Sequence, residues 1–190
     1  MKFSPIIILL LFTHLLSAQT KNLQVEPNHS TIGFSISIAG FSVVTGKYTD
    51  YEIFMEWDDE DLSNSKIISE IKASSINTGI PDRDDHLQSS DFFDVEKFPL
   101  ITFESDSIQQ VNFSNFEAHG KLTMHGITKN LILPFQIVKA DGNVIGFKAR
   151  TTINRLDYGV GSEFQHTSMP EFLADVVEVQ IDFWTRKRKE

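Results

Sequence analysis

The residues with most scope for acid–base or metal chemistry are six histidines and 26 carboxylates, because the chain has no cysteine. That absence removes disulfides, thiolate zinc sites, cysteine nucleophiles and lipid attachment at an N-terminal cysteine. His119 and His125 fall on one face of an alternating segment. At ~3.3 Å per residue they stand ~20 Å apart on a regular strand, too far to share an ion. His29, His86 and His166 lack ligand-like spacing, and each reads as a structural hydrogen-bonding residue rather than a catalytic base. Asp82-x-Asp84-Asp85 opens like a calcium loop. Leu87 then stands where the sixth position needs Gly, and Phe93 where the twelfth needs Glu. Helix capping and pairing with Arg83 is the reading left for those carboxylates. Gly159-x-Gly161 lacks the third glycine of a nucleotide loop and reads as a turn. There is no G-x-S-x-G, P-loop or H-E-x-x-H. A glycosidase-like carboxylate pair forms in space rather than in sequence, and nothing singles one out. The expectation is no catalytic residue, no metal and no cofactor.

The elements that would position these residues are strands. Ile32, Phe34, Ile36 and Ile38 alternate with Thr31, Gly33, Ser35 and Ser37, and Ile53, Met55 and Trp57 with Glu52, Phe54 and Glu56. The period of two returns at 101–104, 116–124, 131–137, 145–153 and 177–183. With the run 67–73 it gives about eight or nine strands. Asp58-Asp59-Glu60-Asp61, His125-Gly126 and Asp141-Gly142-Asn143 supply turn chemistry between them. Strands joined by hairpin turns, without alternating helices, indicate one antiparallel all-β domain. Its single apolar face requires the sheet to close or to pair. A closed eight-stranded barrel either fills its interior with side chains or keeps room for one ligand, and periodicity leaves both open. The exception to the β pattern is 80–99, an acidic insertion with short helical turns that Asp84 or Ser90 would cap and Pro99 would end.

Sixteen phenylalanines against three tyrosines and two tryptophans suggest a ring-rich interior. A formal charge of −9 argues against a broad phosphate-binding surface, so nucleic acid is not expected as a partner. Lys2, the apolar run Pro5–Leu16 and Ser17-Ala18-Gln19 follow the order of a secretory signal peptide. The expected organisation is a leader over 1–18 and one domain over 19–190, exported to a periplasm or secreted, with no integral membrane segment after cleavage. The basic run Arg186-Lys187-Arg188-Lys189 reads as a solvated end.

Several ordered motifs add a resemblance. Ser75-Ile76-Asn77-Thr78-Gly79, Arg83-Asp84-x-His86-Leu87, Asp91-Phe92-Phe93-Asp94 and Phe98-Pro99-x-Ile101-Thr102-Phe103 closely resemble the YceI-like family. So do His119–Lys129 and Thr152-Ile153-Asn154-Arg155-x-Asp157-Tyr158-Gly159-Val160, and Val25-Glu26-Pro27-x-His29-Ser30-x-Ile32-x-Phe34 resembles its first strand. Leu23, Glu26 and Asn130 stand where the family usually has Trp, Asp and Pro, and 161–172 follows no recognised pattern. The resemblance implies a single antiparallel lipocalin-like β-barrel, generally exported, that holds a polyisoprenoid chain in its apolar interior without chemistry. Inward parity then makes Phe34, Ile36, Phe103, Leu122, Leu133, Phe135, Phe147 and Phe183 the candidate walls. Two alternatives stand beside this carrier reading: an enzyme acting on an isoprenoid lipid in the same cavity, and a solid-core structural or interaction domain. For Arg83, Asp84 and His86 the alternatives are contact with a polar lipid head and an ion-paired latch that holds 80–99 against the barrel.

Overall fold

Alternating segments that bury one face become strands of a single antiparallel sheet. The computed structural model describes residues 20–141, 144–169 and 171–187. The expected leader, Gly142-Asn143 of the third turn signal and Arg188-Lys189 of the basic end lie outside the described residues. In chain order the elements are β1 (Lys21–Val25), β2 (Thr31–Ile38), β3 (Ser42–Tyr48), β4 (Tyr51–Trp57), β5 (Lys66–Lys72), β6 (Ile76–Asn77), helix α1 (Pro81–Gln88), β7 (Leu100–Gln110), β8 (Asn115–Met124), β9 (Ile127–Asp141), β10 (Val144–Asn154) and β11 (Leu173–Lys187). Every strand expected from alternation is present. Strands β1, β3 and β6 were not legible, being short or not strictly alternating.

The ladder order is β1-β4-β5-β7-β8-β9-β10-β11-β2-β3-β6, with β11 also paired to β1. Three staves are each broken once. Pro27, which has no N–H to give a ladder, opens the turn between β1 and β2. Thr49-Asp50 separates β3 from β4, and the turn Ala73–Ser75 separates β5 from β6. The second and third breaks lie side by side: the Thr49 N–H donates to Ser75 O (3.1 Å) and the Lys72 N–H to Asp50 O (3.0 Å). Counting each broken pair as one stave, the sheet is a closed eight-strand antiparallel barrel. Closure removes the sheet edges that an open sheet must protect. Strand β11 joins the seam along its length, pairing Thr185–Lys187 with β1 and Val177–Asp182 with β2.

The two halves of the interior differ. In the β1–β4 half a row of rings fills the barrel. Trp57 meets Phe116 edge-on at 5.6 Å, Phe116 stacks on Phe135 at 5.4 Å, Phe135 lies 5.6 Å from Phe147, and Phe147 meets Phe183 edge-on at 4.6 Å. Leu23, Met55 and Ile145 complete this packed layer and are almost wholly buried. Backbone groups that leave the ladders here are taken up by buried hydroxyls. Thr185 Oγ1 accepts from the Ile145 N–H (2.7 Å) and donates to Ile145 O (3.0 Å), and Ser105 Oγ accepts from the Ile67 N–H (2.8 Å).

In the other half, no ladder joins β6 to β7 among the described residues, and 78–99 is inserted at that point. Pro81 opens α1, where its missing N–H costs nothing. The expected capping by Asp84 is not what forms. Its carboxylate reaches back to accept from the Thr78 N–H (2.8 Å) and from the Thr78 hydroxyl, because the chain turns sharply at Gly79 and brings Thr78 beneath the helix. Pro99 ends the insertion directly before β7, as expected.

Register at the β7–β8 bulge depends on Gly120, which lies opposite Ser105; a β-carbon there would come within 2.2 Å of Glu104 O and 2.7 Å of Ser105 Cα. Both are backbone atoms and cannot swing aside. Gly120→Ala is expected to cost about 2–3 kcal/mol in chemical denaturation, the scale of an overpacked core.

Candidate functional site: an apolar chamber under an inserted roof

Above the ring row the barrel is hollow. The chamber measures about 300 Å³, about twice the ~150 Å³ at which a Leu/Ile/Phe-lined cavity stays dry and takes up benzene. Its wall is almost entirely apolar, from Ile32, Phe34 and Ile36 on β2 round to Val177, Val179 and Ile181 on β11. Phe183 is the floor, lining the chamber on one side and meeting Phe147 on the other. On β3, Gly46 lets the Phe34 ring lie flat against the strand: a β-carbon at 46 would sit 2.4 Å from Phe34 Cζ. Gly46 takes an inward position that a bulky residue would fill, which is why β3 does not read as an alternating strand.

Two irregular segments make the roof. The insertion contributes Leu87, Phe92 and Phe93, and 155–172 contributes Val160, Phe164 and Phe172. They meet through rings: Phe92 lies 5.2 Å from Phe164, and His86 stands edge-on to both, at 5.0 Å and 5.8 Å. The second segment is clasped by Arg155, buried at 8% exposure. Its guanidinium donates to Val160 O (2.9 Å), Gly161 O (2.8 Å), Ala174 O (2.9 Å), Leu173 O (3.4 Å) and Asp175 Oδ1 (3.4 Å). All five N–H groups of the fork are thereby used. Burial pulls the Arg155 pKa down and the Asp175 carboxylate opposes that shift. One side chain thus ties both ends of a loop whose sequence follows no pattern.

Of the residues expected as walls, Phe34, Ile36, Phe103, Leu122, Leu133 and Phe183 line the chamber. Phe135 and Phe147 do not. They belong to the packed row beneath the floor, because parity fixes which face a residue occupies but not its height along the barrel axis. The Arg83 group ties the insertion without the ion pair expected of a latch at Arg83. Among the described residues Arg83 forms no ion pair; it donates through Nε to Thr78 Oγ1 (2.7 Å) and through Nη2 to Thr78 O (3.0 Å). Arg83 and Asp84 converge on Thr78, so the tie between α1 and the end of β6 is a shared hydroxyl. His86 pairs with Asp91 at 3.1 Å. Arg83 and His86 also line the chamber.

His119 and His125 are separate, as their spacing requires. His119 faces outward beside Glu117 (3.2 Å), and His125 Nδ1 contacts Tyr158 O (3.1 Å) in the turn after β8. Among the described residues no group of three or more His, Asp or Glu is placed to hold a metal ion, and no helix is long and apolar enough to cross a membrane. The lining residues missed by alternation include Tyr48, Phe92, Phe93, Phe164, Phe172 and Arg155. One signal was available: two adjacent rings in the acidic run Asp91-Phe92-Phe93-Asp94 have no reason to stay in solvent.

A closed barrel, packed at one end and hollow at the other beneath an inserted roof, defines a single-chamber lipocalin-like protein. The YceI-like domain profile matches residues 23–184, and the chain belongs to the YceI-like family. A UPF0312 protein of Pseudomonas putida is 34% identical over 140 residues, covering 71% of this chain and 73% of that protein. The crystal structure of the Campylobacter jejuni YCEI protein is 27% identical with a TM-score of 0.70, covering 78% of this chain and 88% of that one. Burkholderia cenocepacia BcnA shares the fold at 19% identity, with a TM-score of 0.77 over 84% of this chain and 98% of its own. A polyisoprenoid binding domain from Saccharophagus degradans shares it at 12% identity, with a TM-score of 0.68 over 87% and 98% respectively.

The two arginines separate by their bonds. Arg155→Ala strands four carbonyls that the guanidinium now satisfies and is expected to cost about 3 kcal/mol, roughly a 10 °C fall in Tm. Arg83→Ala loses two bonds to a partly exposed threonine and is expected to cost about 1 kcal/mol. Parallel calorimetric melts check the order; equal losses would contradict it.

Proposed function

We propose that this protein is an exported, non-enzymatic carrier or reservoir for an isoprenoid-type lipid, held in the hollow half of the barrel. The observation that carries the reading is the chamber: about 300 Å³, enclosed by the barrel strands and the inserted roof and walled by aliphatic and aromatic side chains. Left empty, such a volume would cost about 7 kcal/mol at ~24 cal/mol per Å³ of cavity. That is a large share of the ~5–15 kcal/mol by which domains are stable. An apolar occupant restores the missing contacts. Burying ~400 Å² of a branched chain would gain about 10 kcal/mol gross at ~25 cal/mol/Å², with association and ordering costs offsetting several.

Two further observations favour an isoprenoid. Flat rings at Phe34, Phe103 and Phe183 suit a methyl-branched chain, and the Saccharophagus degradans neighbour is described as a polyisoprenoid binding domain. The reading as a carrier rests on the make-up of the wall, whose hydroxyls stand singly among apolar groups. Export rests on the order of Lys2, the apolar run and Ser17-Ala18, and places the protein in a periplasm or outside the cell.

Mass spectrometry of organic extracts from protein purified without detergent tests the reading. An intact isoprenoid at about one per chain is expected; a chemically altered lipid would favour an enzyme, and no lipid under any growth condition a structural domain. Two variants locate the site. Leu122→Trp adds ring volume to the wall and is expected to lower bound lipid several-fold with the barrel still folded. Phe135→Ala, below the floor, is expected to cost about 3–5 kcal/mol in stability while lipid per folded molecule does not fall.

A further inference from the structure

The chamber wall is mainly apolar, with six polar side chains set into it: Tyr48, Ser69, Arg83, His86, Thr151 and Arg155. Tyr48 closes β3 and projects inward beside Ile76 of β6, its ring 6.0 Å from Phe34 and 6.3 Å from Phe93. Tyr48 is half-buried, and its hydroxyl is carried on a ring that lines the chamber. No hydrogen-bond partner for that hydroxyl exists among the described residues. The other hydroxyls on the wall, Ser69 and Thr151, stand on short side chains flush with their strands. Two residues back along the same face, Gly46 abuts Thr78, which holds Arg83 by Nε and Nη2. The rest of the Arg83 fork has no partner among the described residues and lies on the same wall.

We propose that Tyr48 is the polar anchor of the chamber, donating its hydroxyl proton to a carbonyl oxygen at the head of an otherwise apolar chain, with Arg83 reinforcing the same acceptor site. This rests on the carrier reading above and adds the chemistry and orientation of the cargo: oxygen end under the roof, chain toward Phe183. Burial pushes the Tyr48 phenol far above its ordinary range, so it remains a proton donor throughout physiological pH. The charge balance selects among heads. An ammonium would face Arg83, and among the described residues no carboxylate lines the chamber to receive it. A diphosphate would need several cations, whereas Arg155 has no free donor and Arg83 has already spent two. A neutral carbonyl carries no net charge to desolvate and needs only donors.

The test compares farnesylacetone with its carbonyl-free hydrocarbon counterpart on delipidated protein, by displacement of a lipophilic fluorophore, in wild type and Tyr48→Phe. The wild type is expected to prefer the ketone about tenfold, and Tyr48→Phe to abolish that preference while hydrocarbon affinity is unchanged. Lipid-free Tyr48→Phe should melt no lower than wild type, because it removes a hydroxyl with no protein partner. Arg83→Lys is expected to retain part of the preference. Hydrocarbon binding without ketone preference, or an equal loss of both ligands in Tyr48→Phe, overturns the anchor and leaves the carrier reading standing. Failure of the wild type to bind either probe overturns both.

Discussion

The ladder that joins β11 to β1 at one end and to β2 at the other is the constraint on which the structure depends. Once that seam closes, the apolar residues of every stave share one interior, and the remaining question is how far that interior is filled. Alternation cannot answer it, since residues two apart face the same way at every height. The fill level is set by where the large rings fall. Trp57, Phe116, Phe135 and Phe147 cluster at one end and interlock at 4.6–5.6 Å up to Phe183. Above Phe183 the inward positions carry mainly Ile, Leu and Val, and Gly46 contributes no side chain. Packed core and hollow chamber, opposed as alternatives in the sequence, are successive layers of one barrel.

The hollow half creates a second problem, which the irregular segments meet. A wide barrel mouth would expose its apolar wall to water, so 78–99 and 155–172 fold across it. Among the described residues neither segment contains a strand. The insertion is held by Thr78, which receives Arg83 and gives to Asp84, and the other loop by the Arg155 fork. The ring contacts among His86, Phe92 and Phe164 join the two. The charged residues that looked most like chemistry in the sequence thus mainly hold the roof in place, and their polar atoms are largely spent on backbone carbonyls and one threonine.

What was legible in the sequence follows from these two regimes. Where a strand runs regularly between core and solvent, residues such as Ile53, Phe103 and Leu122 declare their face, and the all-β class follows, while β7, β9 and β11 run several residues beyond the alternating stretches at 101–104, 131–137 and 177–183. Where backbone geometry is irregular, periodicity has nothing to act on. Phe92, Phe93, Phe164 and Phe172 reach the chamber from loops, and Tyr48 from a strand whose inward neighbour is glycine. Height along the axis was equally hidden, which is why Phe135 and Phe147 read as walls and prove to be packing beneath them. Arg155 gave no local sign of its role, because its five partners are carbonyl and carboxylate oxygens at 160–161 and 173–175.

The central claim is that one half of the barrel is a binding chamber and the other a packed base. Crystal diffraction from protein purified without detergent or delipidation tests it most directly. The account predicts continuous elongated density between Phe183 and the roof rings Phe93 and Phe164, with none among Trp57, Phe116, Phe135 and Phe147. Side chains collapsed into the upper half, or only ordered water there, would contradict it.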